Sequence, residues 1–265
     1  MNFDNSYTSY WKQRVNNSSD GTIIADENIL LEFMPLLNVL DSEKILDIGC
    51  SFGRFYGILS KFSNFVYGID IEATAIAECL KIGYTDLKVC PAEKIDYEDE
   101  YFEKAICWGT FDLVSQEKTL TEINRVLKIG GRVLITGKNI NYLNEDYLAF
   151  IAERNAKIKK FPNHFTDINK LINKLPNLGF EVHELLCFER RGDFGKNICK
   201  QNLINLKDPF YEYLLVLTKT QTSNLEVEKF SYNFSKTAKT IFKNSGYKGS
   251  IINFFKWHSE NNEIL

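Results

Sequence analysis

From residue 44 onward, the sequence alternates short apolar runs with segments that carry apolar residues at helical spacing. This alternation is the strongest constraint on the fold, because strands separated by single helices must be joined by crossovers. Such connections give a mostly parallel sheet that is covered by helices on both faces. The predicted strands are EKILDIG, NFVYGIDI, DLKVC, YFEKAICWG, GRVLITG, FEVHELLCF and YEYLLVLT. The sequence therefore predicts an α/β fold with a doubly wound sheet of seven strands.

The predicted sheet is flanked by two extensions. A short link joins the last two strand-like runs, so one strand is expected to be antiparallel at one side of the sheet. Residues 1–43 form a polar, aromatic-rich arm with a predicted helix in ENILLEFMPLLNVL, and residues 44–220 form the main domain. Residues 221–265 are predicted to be a helical extension that packs on the domain, because this segment carries many aromatic side chains.

The charge balance and the distribution of apolar residues narrow the class of protein. The net charge is −3, so no overall basic field indicates nucleic acid or an anionic membrane as a partner. The first residues show no basic-then-apolar signal, and the apolar runs are too short to span a bilayer. The six cysteines form no C-x-x-C pair and are expected to be reduced thiols. These features predict a cytoplasmic protein.

The stretch LDIGCSFGRF, at residues 46–55, is typical of the tight turn between a first strand and a first helix. The dinucleotide fingerprint G-x-G-x-x-G is not met, because Ser51 stands at its third position and Gly53 comes one residue too early. The turn therefore fits a nucleoside cofactor better than a pyrophosphate. At Gly49 the absence of a Cβ lets the backbone approach a ligand closely.

Several motifs follow this turn in a characteristic order. Asp70 ends the second strand, and 70 minus 47 places it 23 residues after Asp47. The later motifs are CPAE at residues 90–93, EINRVLKIGG followed by RVLIT, and the segments FT and LGF. In this order they resemble class I S-adenosylmethionine (SAM)-dependent methyltransferases, over roughly residues 44–220. The resemblance implies a Rossmann-like fold, SAM as cofactor and methyl transfer as the activity.

The residue chemistry adds to what the resemblance implies about the cofactor site. A carboxylate at a strand end accepts both hydroxyl protons of a ribose, which suits Asp70, although a helix N-cap is an alternative role. Asp47 is expected at the cofactor or as a brace for the turn. The remaining candidates from the motifs are Cys50, Ser51 and Gly53 in the turn, Ile71 after Asp70, and Ala92 and Glu93 beside the adenine, with a solvated acid at a helix start as the alternative for Glu93.

Two further parts of the chain are cofactor candidates. Cys107 and Trp108 end the fourth strand, where the resemblance places the methionine part of SAM, and core packing is the alternative for Trp108. Tyr10 and Arg14 in the N-terminal arm are expected to close over the cofactor, with Arg14 meeting its carboxylate. The alternative is an arm that docks on the outside of the domain.

The sequence gives fewer candidates for the residues that bind and deprotonate the methyl acceptor. Many relatives carry a His after strand four, and Asp112 stands there in this chain, either as the general base or as a helix N-cap. His164 lies between strand five and the following helix, a segment that usually covers the acceptor in this fold, and it is the second catalytic candidate. Arg190 and Arg191 join the last two strands and suit an anionic group on the acceptor, although a solvated loop explains them as well.

The sequence therefore predicts a methyltransferase that acts on a small or saccharide-like acceptor, most simply at oxygen. The resemblance extends this to a phosphorylated or phosphoramidate-bearing precursor of a surface (capsule) polysaccharide. C- or N-methylation of another metabolite and a non-catalytic partner protein of the same fold are the alternatives. No His, Cys or carboxylate cluster has metal-ligand spacing, so no metal is expected. The oligomeric state is left open.

Overall fold

A computed structural model of the protein describes residues 28–199, 206, 209–223 and 228–261. Its main sheet has eight strands in the order β3-β2-β1-β4-β5-β9-β7-β8, and β6 pairs with β10 separately. The strands are β1 (Lys44–Ile48), β2 (Phe65–Asp70), β3 (Asp86–Val89), β4 (Phe102–Cys107), β5 (Leu127–Lys138), β6 (Phe165–Thr166), β7 (Phe180–Phe188), β8 (Ile198–Cys199), β9 (Glu212–Lys219) and β10 (Ser231–Tyr232). This mostly parallel sheet confirms the predicted α/β class.

Helices occupy most of the connections between these strands. They are α1 (28–33), α2 (Tyr56–Leu59), α3 (Ala73–Cys79), α4 (Gln116–Val126), α5 (Tyr147–Ile158), α6 (Ile168–Lys174), α7 (Lys236–Asn244) and α8 (Ile251–Asn261), with 3-10 turns at Met34–Leu37 and Leu175–Leu178. Strands β1 to β5 run parallel to one another. Their carboxyl ends therefore meet at one edge of the sheet, which is where an open α/β sheet binds its ligands.

The far side of the sheet is antiparallel, as the sequence predicts. Strand β9 lies between β5 and β7 and is antiparallel to both. The predicted count of seven strands is wrong by one, because the two residues of β8 pair antiparallel with the end of β7. The chain can reverse there because Gly192 has a positive φ and Asp193 accepts a hydrogen bond from the backbone N–H of Arg190 at 3.0 Å.

The first helix after β1 is shorter than the sequence pattern predicts. The periodicity favours a helix over residues 53–62, and only Tyr56–Leu59 is α-helical. The backbone is left-handed at Gly49, Ser51 and Gly53, with φ of 77°, 50° and 77°. A right-handed helix cannot include such residues, so it begins only after the turn has been completed.

The C-terminal segment packs on the segment that follows β5. Buried Phe254 and Phe255 of α8 lie in one apolar cluster with Phe150 of α5, and this cluster also contains Phe165 and Tyr211. Strand β10 pairs antiparallel with β6. The side chains of all six lysines between Lys229 and Ser259 are exposed. The domain boundaries at residues 43/44 and 220/221 stay predictions.

In the described part of the chain, no helix is both long and apolar enough to cross a membrane. The six cysteines all lie in that part, and all are free thiols.

Candidate active site

The turn after β1 lies at the carboxyl edge of the sheet. The backbone N–H groups of Gly49 and Cys50 both donate to the carbonyl of Ile69, at 2.8 and 2.9 Å. These bonds join the turn to β2, its neighbour in the sheet. The left-handed residues of the turn then direct the chain into α2.

Asp70 ends β2 beside this turn. One oxygen of its carboxylate accepts the backbone N–H of Ser51 and the other accepts the backbone N–H of Glu72, both at 2.9 Å. A carboxylate has about four acceptor positions, and these two bonds leave about two. Burial raises the pKa of Asp70, and the backbone N–H groups of Glu72, Ser51 and Ile71 oppose that shift. The carboxylate is therefore fixed in position and still able to accept the two hydroxyl protons of a ribose.

Asp47 lies beneath the turn and is almost completely buried. Its carboxyl group accepts a hydrogen bond from the Tyr84 hydroxyl at 3.1 Å. Burial raises the pKa of Asp47 to about 7, and the charge of Asp70 adds to that shift. The position of this group fits the bracing role that the sequence leaves open.

The next cofactor candidates follow the ends of β2 and β3, where the backbone N–H of Cys90 donates to the carbonyl of Asp70 at 3.0 Å. Ile71 directly follows Asp70, and its side chain is exposed, as an apolar wall for a flat ring requires. Cys90 and Ala92 are buried after β3. The Glu93 carboxylate accepts the backbone N–H of Ser115 at 2.7 Å, so it also anchors the start of α4.

The space beside Gly49 is occupied by a side chain that the sequence analysis does not single out. A Cβ on Gly49 would lie 2.2 Å from Oγ1 of Thr110. Thr110 and the positive φ of 77° therefore already require glycine at position 49, and the close approach of a ligand there stays a prediction. Thr110 follows Gly109, which has a positive φ at the end of β4, and that glycine is the available sequence signal.

Three predicted cofactor residues have buried side chains. Trp108 packs between Phe55 and Phe194, with ring centroids 5.8 and 5.4 Å away. The Cys107 side chain lies in the hydrophobic core, and that of Cys50 lies in a small cluster with Cys79. Burial raises the pKa of the Cys107 thiol. The core-packing alternative for Trp108 is the one the structure favours, and the thiols contribute no side chain to an open site.

On the acceptor side, the structure brings the two catalytic candidates together. The backbone N–H of His164 donates to the carbonyl of Asp112 at 2.7 Å. The Asp112 carboxylate is paired with the ammonium group of Lys138, at the end of β5. That ammonium also donates to Oδ1 of Asn163 at 3.0 Å. Asp112 is therefore an ion-paired, buried residue and not an N-cap of α4, whose N-cap is Ser115.

The His164 imidazole is partly buried and lies near charges of both signs, the ammonium group of Lys157 and the carboxylates of Asp112 and Glu117. Burial, together with the ammonium group of Lys157, lowers the pKa of His164. The ring is hydrogen-bonded to Asn233 of the C-terminal segment. His164 is therefore neutral at pH 7, which is the form that accepts a proton.

The two predicted arginines are placed differently. Arg190 is exposed and lies 3.7 Å from the carboxylate of Glu189, so the solvated-loop alternative describes it. The guanidinium group of Arg191 donates to the Tyr211 hydroxyl at 3.1 Å, and its backbone N–H donates to Asp146 at 2.7 Å. Tyr10 and Arg14 lie outside the described residues.

Sequence reasoning missed Thr110, Lys138, Lys157 and Asn163. A lysine that directly follows the apolar run RVLITG is a usable signal for Lys138. Lys157 lies on a helix with other lysines nearby, and nothing in the sequence separates it from them. In the part of the chain that the structure describes, no cluster of three His, Cys, Asp or Glu side chains is arranged to hold a metal.

The sheet order and the turn after β1 match the fold of solved SAM-dependent methyltransferases. Residues 46–135 match the family model described as a methyltransferase domain. Over this segment the chain is similar to methyltransferase domains.

Known proteins resemble the chain over different lengths. An uncharacterised protein of Methanocaldococcus jannaschii is 30% identical over 119 residues, which is 43% of this chain and 51% of that protein. Phosphoethanolamine N-methyltransferase 3 of Arabidopsis thaliana is 26% identical over 207 residues, 71% of this chain and 38% of the relative. The chain thus spans about half, or less, of the curated relatives it matches.

Solved structures share the fold. A SAM-dependent methyltransferase of Thermotoga maritima has a TM-score of 0.54 at 20% identity, covering 82% of this chain and 100% of that one. A SAM-dependent methyltransferase of Mesorhizobium loti has a TM-score of 0.54 at 14% identity, covering 71% of this chain and 96% of that one. At these identities the likeness concerns the fold alone.

Proposed function

We propose that this protein is a SAM-dependent methyltransferase that methylates an oxygen of a small or saccharide-like acceptor in the cytoplasm. The observation that carries the proposal is the Asp70 carboxylate, held by two backbone N–H groups beside a left-handed turn. When bound, SAM supplies a methyl group that is already activated for displacement. Asp70 would bind the ribose hydroxyls, and Ile71 would lie against the adenine.

Alignment of the acceptor with this methyl group accounts for most of the catalysis in such a displacement. A hydroxyl acceptor must also lose its proton. We propose that His164 accepts this proton, because its lowered pKa keeps the imidazole neutral at pH 7. Asp112, the first candidate from the sequence, is ion-paired with Lys138 and would position His164 through its carbonyl.

For the acceptor, we propose a phosphorylated or phosphoramidate-bearing precursor of a surface (capsule) polysaccharide. The cationic side chains of Lys138, Lys157 and Arg191 support an anionic acceptor. We propose no role for nucleic acid or a membrane, in line with the net charge of −3.

N-methylation of a small phosphorylated amine is the second candidate function. The likeness to phosphoethanolamine N-methyltransferases of plants favours it. An ammonium acceptor must also lose a proton before it is methylated, so His164 would have the same role.

Calorimetry with SAM tests the proposal together with the alternative of a non-catalytic partner. We expect SAM to bind the wild-type protein and Asp70→Asn to weaken binding by about 1–3 kcal/mol, the usual loss when a hydrogen bond to a charged group is removed. Asp41→Asn is the control, because Asp41 is an exposed carboxylate before β1. Equal affinity in a folded Asp70→Asn variant would remove Asp70 from the site.

Transfer of a labelled methyl group to phosphorylated sugars and amines then tests the activity. Labelled product from a sugar supports the O-methyl proposal, and labelled product from an amine supports the second candidate. Absence of SAM binding in the calorimetry would favour the partner protein, whereas SAM binding without transfer to either class would overturn both acceptor proposals.

A further inference from the structure

We propose that Lys138 and Lys157, on either side of Asn163, form a binding site for a phosphate-type oxyanion. We call these three residues the oxyanion site. Its role, which rests on the proposed function, is to anchor the anionic group of the acceptor while another part of the acceptor reaches the methyl group. The site differs from the Arg190–Arg191 pair that the sequence suggests.

The geometry of the site centres on Asn163, which is buried. The Lys157 ammonium donates to the backbone carbonyl of Asn163 at 2.5 Å, and the Lys138 ammonium donates to its side-chain oxygen at 3.0 Å. One residue thus holds two ammonium groups, one from the end of β5 and one from the last turn of α5. Each group has N–H donors beyond the bond to Asn163.

The charges of the two lysines are balanced unequally. Lys138 is paired with Asp112. The acid with the largest effect on the charge of Lys157 is Glu153, whose oxygens accept bonds from the Tyr142 hydroxyl and from the backbone N–H and hydroxyl of Ser235. Among the described residues, Lys157 forms no ion pair within 4.0 Å. It is therefore a half-buried cation without its own carboxylate.

The surroundings of Lys157 make this arrangement unfavourable in the free protein. The Lys157 ammonium group lies over the Phe234 ring, 5.3 Å from the ring centroid, in a cation–π contact that supplies no counter-charge. Burial and the like charge of Lys138 lower the pKa of Lys157 to about 8, while Glu153 and Asp112 oppose that shift. His164 is close by and neutral, so it adds no charge. An oxyanion between the two ammonium groups would compensate both the burial and the repulsion.

A short stretch of chain, residues 110–112, connects the turn after β1 with the oxyanion site. Thr110 packs against Gly49, and Asp112, two residues later, pairs with Lys138. The carbonyl of Asp112 holds His164, the proposed proton acceptor. An acceptor anchored at Lys157 would therefore lie on the His164 side of the cofactor.

Inorganic phosphate is the probe for this site. The thermal unfolding midpoint is measured against phosphate concentration at pH 7.5, with sodium chloride keeping the ionic strength constant. The proteins are the wild type, Lys157→Met, and the matched control Lys159→Met, which removes an exposed lysine at the end of the same helix. We expect a saturable rise in the wild type and in Lys159→Met, and an affinity at least about tenfold weaker in Lys157→Met.

Equal phosphate binding by all three proteins, or no saturable rise in the wild type, would overturn the proposal. Circular dichroism checks that Lys157→Met is folded. If it is not folded, Lys157→Arg and Lys157→Gln replace it: Arg should keep the phosphate effect and Gln should lose it, and the reverse or equal behaviour again overturns the site.

Calorimetry with SAM, on the same proteins without phosphate, separates this inference from the proposed function. Phosphate binding at Lys157 in a protein that does not bind SAM would contradict the proposed function and support the oxyanion site. SAM binding with no phosphate effect would overturn the oxyanion site and leave the methyltransferase proposal intact.

Discussion

The burial of Asp47 beneath the β1 turn makes the stability of the folded protein depend on pH. Its folded-state pKa is raised to about 7, whereas an unfolded Asp titrates near 3.9. Between these values the folded protein binds more protons than the unfolded chain. Stability from this group is thus complete below pH 4 and is lost as the pH rises through 7.

We expect Asp47→Asn to remove this dependence, because an amide does not titrate. The unfolding free energy of the variant relative to the wild type should increase between pH 4 and pH 8, by an amount on the order of a few kcal/mol. Urea unfolding at both pH values measures the difference. Any change in packing contributes equally to the unfolding free energy at both pH values. If the difference between variant and wild type is the same at pH 4 and pH 8, the pKa of Asp47 is not raised in the folded protein.

His164 is the residue whose loss should affect the chemical step and leave cofactor binding unchanged. If it accepts the acceptor's proton, His164→Asn should lower kcat by about 10²–10⁴-fold and leave SAM affinity unchanged. Because burial lowers its pKa below the ordinary 6.5, the wild-type rate should fall to half of its maximum only at a pH below 6.5.

Single-turnover methyl transfer measures both effects once an acceptor has been found. His183→Asn is the control, since His183 is exposed on β7. Retention of more than about a tenth of the rate by His164→Asn, outside the general-base range, would show that the proton leaves by another route.

The sequence predicts the position of an individual residue where that residue lies at the end of a strand. Asp70 and the β1 turn are placed by local pattern alone. Lys157 could not be predicted, because its partners Asn163 and Phe234 lie on other elements. Likewise, the burial of Trp108 depends on Phe55 and Phe194, which come from distant parts of the chain.

Among the elements, helix α7 depends on a single buried hydroxyl at its start. Ser235 accepts the backbone N–H of Ala238 at 2.8 Å and donates to the buried carboxylate of Glu153 at 2.7 Å. The N-cap of α7 is thus also a support for α5. A change at this residue affects both helices.

We expect Ser235→Ala to lower the unfolding free energy by about 1–3 kcal/mol, because it removes the cap and one donor to a buried carboxylate. Denaturant unfolding measures the loss. Ser259→Ala, an exposed position on α8, should change the value by less than about 0.5 kcal/mol. Similar effects in the two variants would show that the bond to Glu153 contributes little.

The sequence predicts the existence of elements better than their ends. All seven long strands lie where the alternation places them, but the two residues of β8 carry no detectable pattern. Helix α2 is shorter than its periodicity indicates, because backbone conformation at Ser51 and Gly53 limits it. Side-chain pattern contains no direct information on either feature.

For the molecule as a whole, the described structure contains two large apolar clusters on the sheet and a third between α5 and the C-terminal helices. The third cluster contains Phe165, the first residue of β6, which directly follows His164. Strand β10 of the C-terminal segment pairs with β6 there, so the cluster supports the segment that carries His164. The aromatic content of the C-terminal segment predicts such packing. The surface that the C-terminal segment covers could not be predicted, because it depends on contacts between residues far apart in the sequence. Ser235 and Glu153, for example, are 82 residues apart.

The position of β9 has a consequence for how the chain reaches this fold. Strand β9 follows β7 in the sequence but lies between β5 and β7 in the sheet, so Arg132 of β5 is paired with Thr218. During synthesis, β5 is complete long before its neighbour exists. Until β9 has been made, its backbone presents an open edge of the kind to which other chains add by strand pairing. The nascent protein is thus most exposed to aggregation between the completion of β5 and the arrival of β9.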